Sequence, residues 1–139
     1  MLLKATMSHL VVFDTNVFVS HFLTPGKTSA VNAAVSRIFE HKAIPVYSDV
    51  TMLEYIDVLN RAKFSFSEYK ICSFLNLIKV NGLHVNPAGT DVSFSDASDK
   101  PFYEAAVAAG AWLVTGNTKH FPRESFIVSP REWLERTGH

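Results

Sequence analysis

Four oxygen-bearing side chains stand at positions where they could act together in catalysis. Asp14 directly follows the apolar run Leu10–Phe13, and Asn117 follows a second apolar run after a Thr-Gly turn. Glu54 falls within a predicted helix, and Asp99 stands just before another. Carboxylates that converge from separate elements repel one another unless a cation lies between them, and hard divalent cations prefer oxygen ligands. The pattern therefore predicts a Mg²⁺ or Mn²⁺ site that activates water for attack on phosphorus.

Three of these side chains also have ordinary structural explanations. Asp14 could cap a helix that follows the strand, and Asn117 could belong to a Gly-Asn turn. Glu54 has the apolar residues Val50 and Val58 one helical turn away, so we expect it in a partly buried row. An unpaired carboxylate is costly in such a row. A place at the helix rim is the alternative for Glu54.

The segment before the helix predicted at residues 102–109 holds two acids, Asp96 and Asp99. Both could cap the helix, because its dipole favours acids in the first turn. One helix start hardly needs two caps, and the acid that does not cap is free for a site. We prefer Asp99, which directly precedes Lys100 and the proline that starts the helix.

A second group of polar residues could support the site. Thr15 and Asn16 could hydrogen-bond Asp14 or a substrate phosphate, or serve turn and helix-start chemistry. Thr115 could orient a nucleophilic water or simply close its strand. His120 could donate a proton, although a packed loop histidine beside Phe121 is the favoured interpretation.

The elements that must position these residues alternate between strands and helices. The predicted strands are Leu10–Phe13, Ile44–Tyr47, a weak one at 84–85, and those at 111–114 and 126–128. The predicted helices cover 28–40, 49–61, 67–81 and 102–109, with a last one starting at Ser129 and Pro130. Such alternation indicates a three-layer α/β/α fold with a central, mostly parallel sheet. No break in composition divides residues 1–139, so we expect a single domain.

The composition is that of an ordinary globular protein. Lys and Arg number 13 and Asp and Glu number 13, so the formal net charge is zero, which argues mildly against a general DNA-coating role. The single cysteine, Cys72, excludes an intramolecular disulfide and a multi-cysteine zinc site, and we expect it to be buried. Residues 1–8 are too short and weakly charged for a signal peptide, and no apolar stretch reaches membrane length. These features predict a cytoplasmic protein.

Several motifs occur in a fixed order along nearly the whole chain, from residue 11 to about 134. They are Asp-Thr-Asn-Val at 14–17, Glu54, Lys-Pro-Phe-Tyr-Glu-Ala-Ala at 100–106 preceded by Asp99, and Leu-Val-Thr-Gly-Asn-Thr-Lys-His-Phe at 113–121. This order resembles the PIN-domain nucleases, particularly the small VapC-like toxins of type II toxin–antitoxin systems.

The resemblance implies a metal-dependent endoribonuclease. By the family pattern Asp14, Glu54 and Asp99 would hold Mg²⁺ or Mn²⁺, and Asn117 matches a fourth position that is often Asp. The neutral amide at this position lowers the charge of the site and puts strong binding of a second metal in doubt. The resemblance also implies a homodimer and inhibition by a cognate antitoxin protein.

Two other functions fit the sequence. In an aspartyl phosphatase Asp14 would be the nucleophile, but those enzymes usually carry a second Asp two residues later, where this chain has Asn16. In a catalytically weak or inactive PIN-like module, binding of RNA or an antitoxin would be the whole function. Asn117 keeps that second alternative open.

Overall fold

The computed structural model describes residues 9–138. Its strands are β1 (Leu10–Phe13), β2 (Ile44–Tyr47), β3 (Leu83–His84), β4 (Trp112–Val114) and β5 (Ile127–Val128). Its α-helices are α1 (Thr15–Leu23), α2 (Ala30–Phe39), α3 (Asp49–Leu59), α4 (Glu68–Asn81), α5 (Lys100–Ala109) and α6 (Pro130–Thr137). Three short 3₁₀ turns lie at Ala62–Phe64, Ala97–Asp99 and Thr118–His120.

The five strands form one sheet in the order β3-β2-β1-β4-β5, and every pair is parallel. The chain moves outward from β1 to β2 and β3, and then crosses to the other side of β1 to form β4 and β5. All four residues of β1 are buried, as are Leu113 and Val114 of β4, because helices cover both faces of a parallel sheet. The predicted three-layer α/β/α fold is confirmed.

The right-handed rule for parallel crossovers places α1 and α2 on one face of the sheet and α5 on the other. On the first face, α2 packs against α6, and on the second, α5 packs against β1, β2 and β4. The core between the layers is rich in aromatic rings: Phe18 lies 4.9 Å from Tyr55 and 4.8 Å from Phe74, centroid to centroid. Rings at these distances contribute stabilisation beyond their buried area.

Most predicted elements are present within two residues of their expected bounds, but the set of helices was incomplete and one prediction about burial was wrong. Helix α1 was not predicted, although its Val17 and Phe18 are buried. Cys72 is exposed and not buried. Among residues 9–138 no helix is long and apolar enough to cross a membrane. The expectation about a signal peptide at residues 1–8 lies outside the described residues.

Candidate active site

The candidate site lies where the order of strands in the sheet reverses. Strands β1 and β4 are neighbours in register, with Phe13 opposite Val114, so the next residues, Asp14 and Thr115, leave the sheet side by side. In open parallel sheets, ligands bind beyond the carboxyl ends of the strands at such a switch point. The topology thus brings together two polar residues that are 101 positions apart.

Asp14 is buried, with 6% of its surface exposed. Its Oδ2 accepts a hydrogen bond from the Thr115 hydroxyl at 2.8 Å and another from the Asn16 side-chain amide at 3.2 Å. The Asn16 amide oxygen in turn accepts from the backbone N–H of Gly116 at 3.0 Å. Although Asp14 stands at the N-cap position of α1, its side chain makes no capping hydrogen bond. Helix capping therefore does not account for this carboxylate.

Burial raises the pKa of Asp14 from its ordinary value of 3.8 to about 6. The Thr115 hydroxyl and the backbone of Thr15 oppose this rise by donating to the charged form, while the negative charge of Asp99 adds to it and His120 lowers it. The carboxylate is thus held in a place where its negative charge is poorly stabilised by the protein alone. A nearby cation would relieve that strain.

Asp96 and Asp99 have separate roles at the start of α5. Exposed Asp96 caps the 3₁₀ turn, because its Oδ1 accepts from the backbone N–H of Ser98 at 2.9 Å and from its hydroxyl at 2.7 Å. These bonds from Ser98 lower the pKa of Asp96. Asp99 makes no capping hydrogen bond, and within residues 9–138 its buried Oδ2 has no hydrogen-bond partner. Burial, and then the charge of Asp96, raise the pKa of Asp99, whereas His120 lowers it.

The loop after β4 adds Asn117 and His120. The backbone N–H of Asn117 donates to the Thr115 hydroxyl at 3.0 Å, and its side-chain amide lies 3.0 Å from Nε2 of His120. Nδ1 of His120 lies 3.6 Å from Oδ2 of Asp99. The expectation of a packed loop histidine was wrong: the His120 side chain is half exposed and lies between Asn117 and Asp99. Its position three residues after Asn117 was the only sequence signal for this role.

Glu54 is half-buried on α3, next to Tyr55, whose hydroxyl donates to the Phe13 carbonyl. The prediction that Glu54 lies in a partly buried row with Val50 and Val58 was wrong for Val50, which is 56% exposed. Within residues 9–138 no group of three His, Cys, Asp or Glu side chains could hold a metal ion, and Glu54 is not among the charges that shift the pKa of Asp14 or of Asp99. The structure therefore draws Asp14 close to Asp99 and leaves Glu54 apart from the pair.

The donors around Asp14 still fit one hard cation. Mg²⁺ is usually held by only one or two direct carboxylates, with water and substrate phosphate completing its octahedron. Asp14 and Asp99 supply two carboxylates, and Asn117 contributes a neutral amide at the rim. A divalent ion would give the buried Oδ2 of Asp99 a partner and would stabilise the charged form of Asp14, whose pKa is raised. The buried hydroxyl of Thr15 also lacks a partner within the described residues.

Comparison with known protein families shows to which family this chain belongs. The family model of the PIN domain matches residues 10–119, which is most of the chain. The chain belongs to the PIN domain family. PIN domains are in general nucleases and typically use divalent metals, so membership indicates a nuclease.

The PIN domain match contains Asp14, Glu54, Asp99 and Asn117, and it ends just before His120. Helix α6 lies beyond it. No curated protein and no solved structure is significantly similar to this chain.

Proposed function

We propose that this PIN domain is a metal-dependent endoribonuclease that hydrolyses RNA phosphodiester bonds, with Mg²⁺ or Mn²⁺ as its cofactor. The observation that supports it best is the pair formed by Asp14 and Asp99 at the switch point of the sheet. Both carboxyl groups have a raised pKa because of burial, and Asp99 has a buried oxygen without a hydrogen-bond partner among the described residues. An acidic pair of this kind is suited to a cation that also meets a phosphate.

The side chains around the pair have distinct roles in this proposal. Asp14 and Asp99 hold the cation, and the Thr115 hydroxyl and the Asn16 amide keep the Asp14 carboxylate ionised and fixed in orientation. A divalent ion there supplies Lewis acidity, which favours deprotonation of water and neutralises charge on the phosphate. His120 lies 3.6 Å from Asp99 and half exposed, where it can hydrogen-bond an incoming phosphate oxygen or leaving group. Glu54 would be the third acid of the site by the resemblance to the family pattern.

RNA is proposed as the substrate because of the resemblance to VapC-like toxins. The formal net charge of zero fits an enzyme that binds its substrate through a local cationic centre and not through bulk attraction to phosphates. On the same basis we propose that the chain is the toxin of a toxin–antitoxin pair, forms a homodimer, and is inhibited by a cognate antitoxin protein.

A surface on α3 supports contact with another protein. Val50 and Leu53 are more than half exposed and Ile56 is 37% exposed, and the three are spaced so that they lie along one side of the helix. Contiguous exposed apolar surface of this kind is common at protein interfaces. Light scattering on the wild type and on Leu53→Glu tests the dimer: we expect a dimer that dissociates in the variant, and a monomeric wild type would contradict it.

The catalytic proposal is tested by Asp14→Asn, with Asp91→Asn as the matched control. Asp91 is an exposed loop carboxylate, so its replacement removes the same charge away from the site. We expect Asp14→Asn to abolish Mg²⁺-dependent cleavage of RNA and to weaken Mn²⁺ binding in calorimetry, whereas Asp91→Asn should change neither. Full cleavage by Asp14→Asn, or undiminished cleavage by the wild type in excess chelator, would refute the proposal.

An inactive RNA- or antitoxin-binding module is the second candidate. Two observations favour it: Glu54 stands apart from the acidic pair, and the fourth position carries the neutral Asn117. The calorimetric titration separates the two candidates, because the absence of measurable Mn²⁺ binding by the wild type would support the inactive module.

A further inference from the structure

A polar cavity lies at the amino ends of strands β1 and β4, whereas Asp14 lies beyond the carboxyl end of β1. It has a volume of about 640 Å³, within the usual range for small-molecule sites. Its walls come from the residue before β1, the start of β4, the end of α2 with the turn after it, and the end of α6. The residues that matter are His9, Arg37, Lys42, Trp112, Trp133 and Arg136. No acidic residue contributes to its described lining.

Arg37 is the unusual feature of this cavity. It is 94% buried, and its guanidinium lies over the ring of Trp133, 4.9 Å from the centroid. It donates a hydrogen bond to the Thr137 hydroxyl, but within residues 9–138 no carboxylate comes within 4 Å of it. Glu40 acts on it only from a longer distance. Buried charges are normally paired, so a buried guanidinium in a cavity wall calls for an anion.

Two further cations, Lys42 and Arg136, line the same cavity, and their ion pairs are weak. Lys42 lies 3.8 Å from Glu40 and Arg136 lies 3.6 Å from Glu132, and all four side chains are about half exposed. Arg136 also donates a hydrogen bond to the Ser125 carbonyl at 2.9 Å. Exposed ion pairs of this kind contribute little and are screened by salt. Lys42 is therefore available to an anion that enters the cavity, and Arg136 has further N–H donors besides the one that binds the Ser125 carbonyl. Nδ1 of His9 lies 2.7 Å from the Lys42 carbonyl, which fixes the turn that carries this lysine.

The other wall of the cavity is aromatic. The chain has only two tryptophans, and both line this cavity. Trp133 is fully buried beneath Arg37, whereas Trp112 is only partly buried. Guanidinium and ammonium groups bind phosphate, and an accessible aromatic ring binds a nucleobase by stacking.

We propose that this cavity binds a nucleotide, with its phosphate held by Arg37, Lys42 and Arg136 and its base against Trp112. The site is separate from the nuclease centre. Five residues of extended chain, from His9 to Asp14, correspond to about 16 Å at the rise of a parallel strand. Nucleotide binding in this cavity does not require Asp14, a divalent metal ion or RNA cleavage.

Because both tryptophans line the cavity, binding to the wild-type protein can be followed by its intrinsic tryptophan fluorescence. Titration with AMP should change the tryptophan fluorescence in a saturable way, and rising salt should weaken the binding because the phosphate contacts are electrostatic. Inorganic phosphate and adenosine are the comparison probes, and each should bind more weakly than AMP. Absence of saturable AMP binding would overturn the proposal, and phosphate binding as tight as AMP would overturn the role of the base.

Variants locate the site by calorimetry with AMP. Lys42→Gln should weaken AMP binding by roughly tenfold, whereas the matched control Lys70→Gln, an exposed lysine on α4, should leave it unchanged. Trp112→Leu should weaken AMP binding but not phosphate binding. Arg37→Lys keeps a positive charge in the buried position and should bind AMP more weakly than the wild type while remaining folded. Equal effects of Lys42→Gln and Lys70→Gln would refute the location.

Asp14→Asn separates this inference from the proposed function. The variant should lose RNA cleavage and retain wild-type AMP binding, because the two sites lie at opposite ends of strand β1. Loss of AMP binding in a folded Asp14→Asn protein would contradict the independence of the cavity.

Discussion

Replacing Asp14 by Asn should stabilise the metal-free protein at neutral pH. The wild-type carboxylate is buried, and its pKa in the folded protein is about 6 instead of the ordinary 3.8. Folding therefore makes ionisation of this group harder. An amide of the same shape has no charge to desolvate, and its oxygen can still accept from the Thr115 hydroxyl and the Asn16 side chain.

The size of the effect follows from the difference between the two pKa values. At about 1.4 kcal/mol for each pH unit, the rise from 3.8 to about 6 corresponds to about 3 kcal/mol. Between these pH values the folded state of the wild type binds more protons than the unfolded state, so its free energy of unfolding falls as the pH rises. The difference between variant and wild type should be absent below about pH 4 and complete above about pH 6.

Denaturant titrations of wild type, Asp14→Asn and the control Asp91→Asn measure this effect. They should be made in chelator at several pH values, from about pH 4 to about pH 8. We expect Asp14→Asn alone to gain stability with rising pH relative to the wild type. Adding Mn²⁺ should stabilise the wild type and not the variant, since a ligand that binds only the folded state raises its stability. An Asp14→Asn protein that is less stable than the wild type at every pH would refute the claim that burial strains this carboxylate.

Three other changes test neighbouring parts of the structure. Thr115→Val removes the hydroxyl that donates to Asp14, so the pH–rate profile of RNA cleavage should move to higher pH by about one unit, and an unchanged profile would count against this hydrogen bond. Asn117→Asp adds a carboxylate at the rim, and calorimetry should show Mn²⁺ binding tightened by about tenfold; weaker binding would place residue 117 away from the ion. Ser129→Ala removes the N-cap of α6 and should lower the free energy of unfolding by about 1 kcal/mol in a denaturant titration, where no loss would show that this cap is dispensable.

The sheet could be predicted from the sequence because its strands carry a strong local signal. Runs such as Leu10–Phe13 are apolar throughout, which is typical of strands buried on both faces. Helix α1 lacks such a signal, since Val17, Phe18 and Val19 are β-branched or aromatic residues with modest helix propensity. Packing of Phe18 against rings from α3 and α4 stabilises this helix, and that packing exists only in the folded chain.

The candidate site was predictable in part for the same reason. Asp14 could be singled out because a polar residue at the end of a buried strand stands at a known position for ligands. Asp99 could be preferred over Asp96 because it directly precedes Lys100 and the helix start. The contacts that separate the two acids could not be predicted, because they depend on which carboxyl group reaches the Ser98 amide. The place of His120 depends on the approach of the loop after β4 to the start of α5, which no local pattern encodes.

The two acids of the site are anchored very differently. The amide of Asp14 donates to the Val114 carbonyl at 2.9 Å, so this residue is a continuation of the central sheet. The amide of Asp99 donates to the Asp96 carbonyl in a single 3₁₀ turn at the surface. In hydrogen exchange, the first amide should open only with the whole protein, and the second through local fraying. A ligand that bridges the two carboxylates would therefore slow exchange around Asp99 far more than around Asp14. The turn that carries Asp99 is also the part of the site that can shift to fit ligands of different size.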